Sequence, residues 1–285
     1  MRNLFYSISL LIALSLSAAA GKLPPFNHVF IVLEENANYT SVINNQSMPY
    51  LNSLAAQYGL ATQYYANTHP SIGNYFMLTT GQIVTNDDDY TGTITANNVV
   101  RQLIATGMTW KGYEESLPYA GYITPDTGEY ARRHCPLSYL SDVVNSSSEK
   151  LNLVPFTQFA TDLANDALPD YSFITPNLCD DAHDCSLTIA DTWLQNNIAP
   201  LIASSTFQDG GLLIITFDES GTDDTHGGGR VAWVAISPKF SRPGYQSTTV
   251  YQHQNTLRLM MQGLGLRKFP GAAKSAADMS EFFRK

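Results

Sequence analysis

Charge is scarce in this sequence. Asp, Glu, Lys and Arg together make up 14% of the 285 residues, against about 25% in an ordinary soluble domain. Basic residues are the scarcer sign, with 16 Lys+Arg against 25 Asp+Glu and a formal net charge of -9. A chain without a basic excess lacks the footprint that binds nucleic acid through counterion release, so no nucleic-acid partner is expected. Three cysteines are too few for a disulfide-built scaffold, and their spacing fits no zinc pattern. Beyond the first 20 residues no uncharged apolar run approaches the ~20 residues needed to span a bilayer, so no stable membrane anchor is expected. No internal repeat, low-complexity linker or composition shift marks a domain boundary. What is present is apolar: 44% hydrophobic and 11% aromatic residues, including 16 Tyr. That composition has ample surface to bury and excludes a disordered chain.

The N-terminus reads as an address. Arg2 is the only charge in residues 1–20, Leu10-Leu11-Ile12-Ala13-Leu14 forms an apolar run, and Ala18-Ala19-Ala20 offers a small-residue cleavage site. This is the layout of a signal peptide. Residues 21–285 are then expected as one secreted or periplasmic domain. Cys179 and Cys185 flank a short loop that a disulfide could close, which leaves Cys135 as a free thiol or an intermolecular partner. Sequons at Asn38, Asn45 and Asn145 matter only in a host that glycosylates.

The body alternates strands and helices. His28–Leu33 and Gly211–Phe217 are continuous apolar runs, the pattern of strands buried on both faces. Further strands are expected at Thr109–Tyr113, Tyr171–Ile174 and Val231–Ser237. Helices are expected from Pro49 to Gly59, Asn98 to Thr106, Thr157 to Ala167, Ile189 to Ala203 and Gln252 to Gly263. Phe76–Thr80 reads as a shorter helix stopped by Gly81. This order predicts an α/β fold with a mostly parallel central sheet and helices on both faces.

Such sheets bind ligands beyond the carboxyl ends of their strands. The first strand runs into Glu34-Glu35-Asn36, the 211–217 strand into Asp218-Glu219, and the 109–113 strand into Glu114-Glu115. One such pair is commonly no more than a solvated helix start. Several at one edge crowd negative charge that a cation or protons must neutralise; a bound divalent metal is the economical explanation, and oxygen donors suit Mg, Ca or Mn. Ser71 precedes the short helix, where an anion is favoured. A serine there, beside a metal, is a candidate nucleophile toward phosphorus, although an isolated serine at a helix start is more often a cap. Asn74 could donate to a phosphoryl oxygen. Arg132-Arg133 is a candidate phosphate clamp beside His134. No Gly-x-Ser-x-Gly elbow surrounds Ser71, which argues against an unrelated serine esterase.

Six segments in order resemble a known family. They are His28–Asn36, His69–Tyr75, Trp110–Glu115, Tyr130–His134, Pro176–Cys185 and Ile215–Glu219. They resemble the phosphoesterase family of bacterial phospholipases C and metal-dependent acid phosphatases, in the alkaline phosphatase superfamily. The resemblance spans about residues 27–266 and is strongest to short exported acid phosphatases. It implies a divalent metal (Ca, Mg, Mn or Zn) on Glu35, Asn36, Ser71, Asp218 and Glu219. Ser71 would be the nucleophile and Asn74 the phosphoryl contact. His134, His183 and His253 would be catalytic, and a second metal site would draw on Asp181, His183 and His253. The implied reaction is hydrolysis of a phosphorylated small molecule or lipid head group through a phosphoserine. A phospholipase C-type diesterase and a non-catalytic binding protein are the alternatives. Gly73 stands where the family usually has Pro, a departure expected to loosen the nucleophile turn, and Cys135 stands where Asn is usual.

Overall fold

The computed structural model describes residues 23–284, so the expected signal peptide lies outside the described residues. Among these residues the strands are β1 (His28–Glu34), β2 (Gly59–Ala61), β3 (Tyr64–Tyr65), β4 (Trp110–Glu114), β5 (Leu153–Pro155), β6 (Tyr171–Thr175), β7 (Gly211–Phe217), β8 (Trp233–Ile236), β9 (Tyr245–Ser247) and β10 (Tyr251–Gln252). The α-helices are α1 (Tyr39–Val42), α2 (Pro49–Gln57), α3 (Ile72–Thr80), α4 (Val99–Thr106), α5 (Ser141–Val144), α6 (Thr157–Ala164), α7 (Leu187–Ala203), α8 (Ser205–Gln208) and α9 (His253–Gly263).

Eight strands form one sheet in the order β5-β4-β6-β1-β7-β8-β2-β9, and β10 pairs separately with β3. From β5 to β7 every pairing is parallel. β8 runs antiparallel to β7 and to β2. Every residue of β6 and β7 is buried, which requires cover on both faces and explains why these strands carry no polar alternation. Phe30 of β1 meets Phe159 of α6 and Phe207 of α8 at ring distances of 6.5 and 5.9 Å. The last expected strand, 231–237, is shorter than its apolar run and antiparallel. β2, β5 and β9 have only three residues each and no periodicity to announce them; pairing with neighbours creates them.

Local signals set the helix ends. The Asn98 carboxamide accepts the Arg101 backbone N–H and caps α4. Gly81 ends α3 in the left-handed region at φ +69, where an added Cβ would also lie 2.5 Å from the Pro270 carbonyl oxygen. No described helix is long and apolar enough to cross a membrane.

Parallel pairing brings the carboxyl ends of β1, β4, β6 and β7 to one edge. Glu34 is in register with Phe217, so Glu35 and Asp218 emerge side by side. Glu114 is in register with Thr175 of β6. β6 therefore separates the Glu114-Glu115 pair from β1, and the expected crowding of three acid pairs becomes a cluster built on two.

A candidate active site of carboxylates, imidazoles and one serine

Ser71 sits at the position before α3, but its side chain makes no capping hydrogen bond. Its hydroxyl, only 4% exposed, donates instead to Glu35 Oε2 at 3.1 Å. Tyr75, four residues on and hence on the same side of the helix, donates to Glu35 Oε1 at 2.5 Å. The Tyr75 ring stacks on His134 at 5.1 Å with an interplanar angle of 2°. His134 is buried, with Nε2 3.5 Å from Glu35 Oε1 and Nδ1 3.3 Å from Asp181 Oδ2.

Asn36 enters through its backbone: its N–H donates to Asp218 Oδ1 at 3.1 Å, from a left-handed turn at φ 51. Asn74 is more a brace than a free donor. Its Oδ1 accepts the backbone N–H groups of Asn67 and Thr68 at 2.9 and 3.2 Å. Its Nδ2 donates to the Thr68 carbonyl at 2.8 Å and to Glu219 Oε2 at 3.3 Å. These bonds hold the loop that carries Ser71. His69, which opens the family-like segment 69–75 without an implied role there, reaches Glu219 Oε1 with Nδ1 at 3.2 Å.

The Cys179–Cys185 disulfide is present. It closes the loop whose Asp181 carbonyl accepts the Glu35 N–H at 2.8 Å and whose Asp181 Oδ1 accepts the His183 N–H at 2.8 Å. The loop thereby delivers Asp181 and His183 to the cluster. Replacing both cysteines by serine is expected to lower kcat/KM about tenfold or more, with a smaller loss of stability, because the closed loop holds functional side chains in place. Steady-state kinetics beside thermal unfolding checks this. Cys135 is fully buried and free, so it is not an intermolecular partner.

Three expectations need correction. His253 donates or accepts at both ring nitrogens within the protein: Nε2 lies 2.6 Å from the Asp218 carbonyl oxygen and Nδ1 3.0 Å from the Tyr64 hydroxyl. It steadies the Asp218 backbone from behind, so the second metal site of Asp181, His183 and His253 does not assemble; His134 occupies the corresponding place beside Asp181. The Arg132 guanidinium lies 4.2 Å over the Tyr139 ring and donates to Ser138, while Arg133 pairs with Asp126 at 2.9 Å. Neither forms a clamp at Ser71. Gly73 does not loosen its turn: an added Cβ would lie 2.3 Å from Asn86 Oδ1 and 2.6 Å from Thr68 Cγ2, so the bare glycine lets the Asn86 segment close on the Ser71 loop. Gly73→Ala is expected to destabilise by about 1–3 kcal/mol, measured by chemical denaturation.

The electrostatics are those of crowded buried acids. Burial, followed by Asp218 and Asp181, pushes the Glu35 carboxyl well above the usual carboxylate range. Burial raises Asp218 to about 6 and Asp181 to about 7. Burial and the neighbouring Asp218 raise Glu219 to about 9. Burial, then the charges of Arg133 and His183, pulls His134 well below its ordinary value, leaving a neutral imidazole. An ionised carboxylate in such a place costs several kcal/mol unless something neutralises it. Three buried atoms facing this cluster have no hydrogen-bond partner: Asp218 Oδ2, Asp181 Oδ2 and His134 Nε2. Ligand atoms of Glu35, His134 and His183 lie within 4.8 Å of one another. Orphaned acceptors converging on a buried carboxylate are the donor set of a divalent cation, and the residues fit one. Glu34 is likewise raised by burial and by Asp181, Asp180 and Asp191, and both of its buried carboxylate oxygens lack a hydrogen-bond partner.

A serine in such a cluster, at the carboxyl edge of a mostly parallel sheet, stands where an α/β fold gathers its polar chemistry. The fold is shared with a solved protein of the alkaline phosphatase superfamily from Vibrio parahaemolyticus, at TM-score 0.59 and 13% identity, over 91% of this chain and 72% of that one. Residues 27–267 match the Phosphoesterase family, and the chain belongs to that family, whose members are hydrolases acting on phosphoric ester bonds. It is 34% identical to a phosphatidylinositol-3-phosphatase of Mycobacterium tuberculosis over 93% of this chain and 85% of the relative. It is 38% identical to an acid phosphatase of Aspergillus fumigatus over 69% of this chain and 45% of the relative.

Proposed function

We propose that the protein is an exported, metal-dependent phosphatase in which residues 21–285 form one catalytic domain, hydrolysing phosphate monoesters through a phosphoserine at Ser71. The observation that carries this reading is the Ser71 hydroxyl, withheld from helix capping and bonded to Glu35 inside a buried cluster of carboxylates and imidazoles. The disulfide accords with export to an oxidising compartment.

Glu35, Asp218, Glu219 and the Ser71 hydroxyl would hold the cation through oxygen, with His134 as a nitrogen donor. A bound divalent cation supplies neutralisation of phosphoryl charge and a lowered hydroxyl pKa. Ser71 Oγ gives its proton to Glu35, attacks phosphorus in line and expels the alcohol. His183, the cluster histidine open to solvent at 28% side-chain exposure, protonates the departing oxygen. Water then attacks the phosphoserine, giving a proton to His183, while Glu35 returns its proton to the departing Ser71 Oγ and phosphate is released. Asn74 keeps the Ser71 loop and Glu219 in register, and Tyr75 holds the Glu35 carboxyl in one orientation.

The test is hydrolysis of p-nitrophenyl phosphate by the mature protein near pH 5 and pH 8, after chelation and after adding back Mg, Ca, Mn or Zn. Turnover restored by metal is the expected result. Release of a phosphorylated head group from lipid, with no monoester turnover, would transfer the assignment to a phospholipase C.

A further inference from the structure

Beside the cluster lies a cavity of about 280 Å³ that the chemistry above does not use. Asp88, Asp89 and Tyr90 line one side, and Asp126, Arg132 and Tyr139 the other. It begins one residue from the proposed nucleophile, because the Ile72 N–H donates to Asp88 Oδ1 at 3.4 Å. Asn86, on the same segment as Asp88, donates to Thr68 Oγ1 at 2.8 Å, so this segment is tied to the Ser71 loop. Tyr90 stacks on Tyr139 at 5.9 Å and meets Phe76 of α3 edge-on at 6.1 Å. The cavity wall and the helix behind Ser71 are therefore one packed unit.

The lining carries three carboxylates and one guanidinium. That guanidinium is spent on the Tyr139 ring and on Ser138. Asp126 is taken by Arg133 and by the Arg132 N–H at 2.7 Å. Asp88 and Asp89 have no cationic partner among the described residues. The space is therefore net negative and aromatic-walled, and Asp88 ties it to the residue after Ser71.

We infer that this cavity receives the alcohol half of the substrate and selects alcohols bearing a positively charged amine over those bearing a second anionic group. An ammonium here gains attraction from Asp88 and Asp89 and can lie against the Tyr90 ring. A carboxylate or second phosphate in the same place is repelled. The inference rests on Ser71 as the nucleophile, and it concerns selectivity alone.

The experiment compares kcat/KM of the metal-loaded protein for O-phosphoethanolamine and phosphoglycolate, which match in size and differ in the sign of the terminal group. p-Nitrophenyl phosphate serves as the uncharged reference. The amine substrate is expected to be favoured by at least about tenfold at low salt, and the preference to shrink severalfold in about 0.5 M NaCl, where screening is nearly complete over the cavity's dimensions. Asp89→Lys, at an exposed position, is expected to reduce the preference to about unity or reverse it, with a Tm close to that of the parent. Equal turnover of the two charged substrates, or a preference that survives Asp89→Lys unchanged, overturns the inference. Failure to hydrolyse p-nitrophenyl phosphate under any metal condition overturns the phosphatase reading itself, and this inference with it.

Discussion

Ser71→Ala is expected to lower kcat/KM for p-nitrophenyl phosphate by at least about a thousandfold while the protein stays folded and still binds its cation. The basis is geometric. Ser71 presents its hydroxyl to Glu35 and, as a second carboxylate partner, to Asp218. Removing one small buried oxygen leaves Tyr75 on the other Glu35 oxygen and leaves His134 and Asp181 in place. The loss should therefore fall on kcat rather than on folding, and thermal unfolding of the variant with and without metal separates the two. Rapid acid quenching of the parent enzyme should also reveal a covalent phosphoryl group on the peptide containing Ser71. Activity within about tenfold of the parent, or a phosphorylated peptide elsewhere, would remove Ser71 from the nucleophile's role while leaving the carboxylate cluster to be explained by a metal-activated water.

Stripping the cation should expose the cost of the buried acids, and the sign of the effect is specific. Asp218, Asp181 and Glu219 are raised in the folded protein to about 6, about 7 and about 9, whereas in the unfolded chain they return to ordinary values near 4. Between those limits the folded state binds more protons than the unfolded one, so stability is present at low pH and is lost as pH rises. Asp142 and Asp162 work the other way. Despite the opposing effect of burial, hydrogen bonds from Arg101 and Lys111 hold them below the usual range, and their contribution is lost in strong acid. The metal-free protein is therefore expected to be most stable near pH 4–5, with its Tm falling by roughly 10 °C or more toward pH 9. Excess Mn or Ca should recover most of that loss, and recover most at the alkaline end. Differential scanning fluorimetry across the pH range, with chelator and with metal, checks both statements. A stripped protein whose Tm is flat or rises from pH 5 to 9 would show that these carboxylates are not the strained, cation-requiring group described above.

The two predictions draw on residues that were unequally visible beforehand. Glu35 and Asp218 could be picked out because each directly follows a seven-residue buried strand, and a parallel α/β sheet collects such ends at one edge. Ser71 could be singled out by its place before a helix that Gly81 ends. Tyr75 was detectable in principle, four residues from Ser71 on one helix, but an aromatic at that spacing more often serves the core. The histidines were not separable. His134 and His253 both fall in family-like segments, and both are buried. One faces Asp181 and Glu35 with a bare nitrogen, and the other spends both nitrogens on the backbone of Asp218 and on Tyr64. Arg132-Arg133 looked like a phosphate clamp until Tyr139, Ser138 and Asp126 were found to hold both side chains.

By itself the sequence determined the local and the apolar: the buried runs of β1 and β7, the helix-end signals at Asn98 and Gly81, the class of fold, and the acids at the strand ends. These follow from periodicity, backbone conformational preference and hydrophobic burial, which act over a few neighbouring residues. Only the tertiary structure decided which side chains meet. The short strands β2, β5 and β9 exist because neighbours pair with them. β6 shuts Glu114 out of the cluster, the disulfide loop carries Asp181 and His183 into it, and the Asn86 segment closes against Gly73. Each of these depends on contacts between residues far apart in the chain, where a hydrogen bond of about 3 Å or its absence turns on packing that no local pattern encodes.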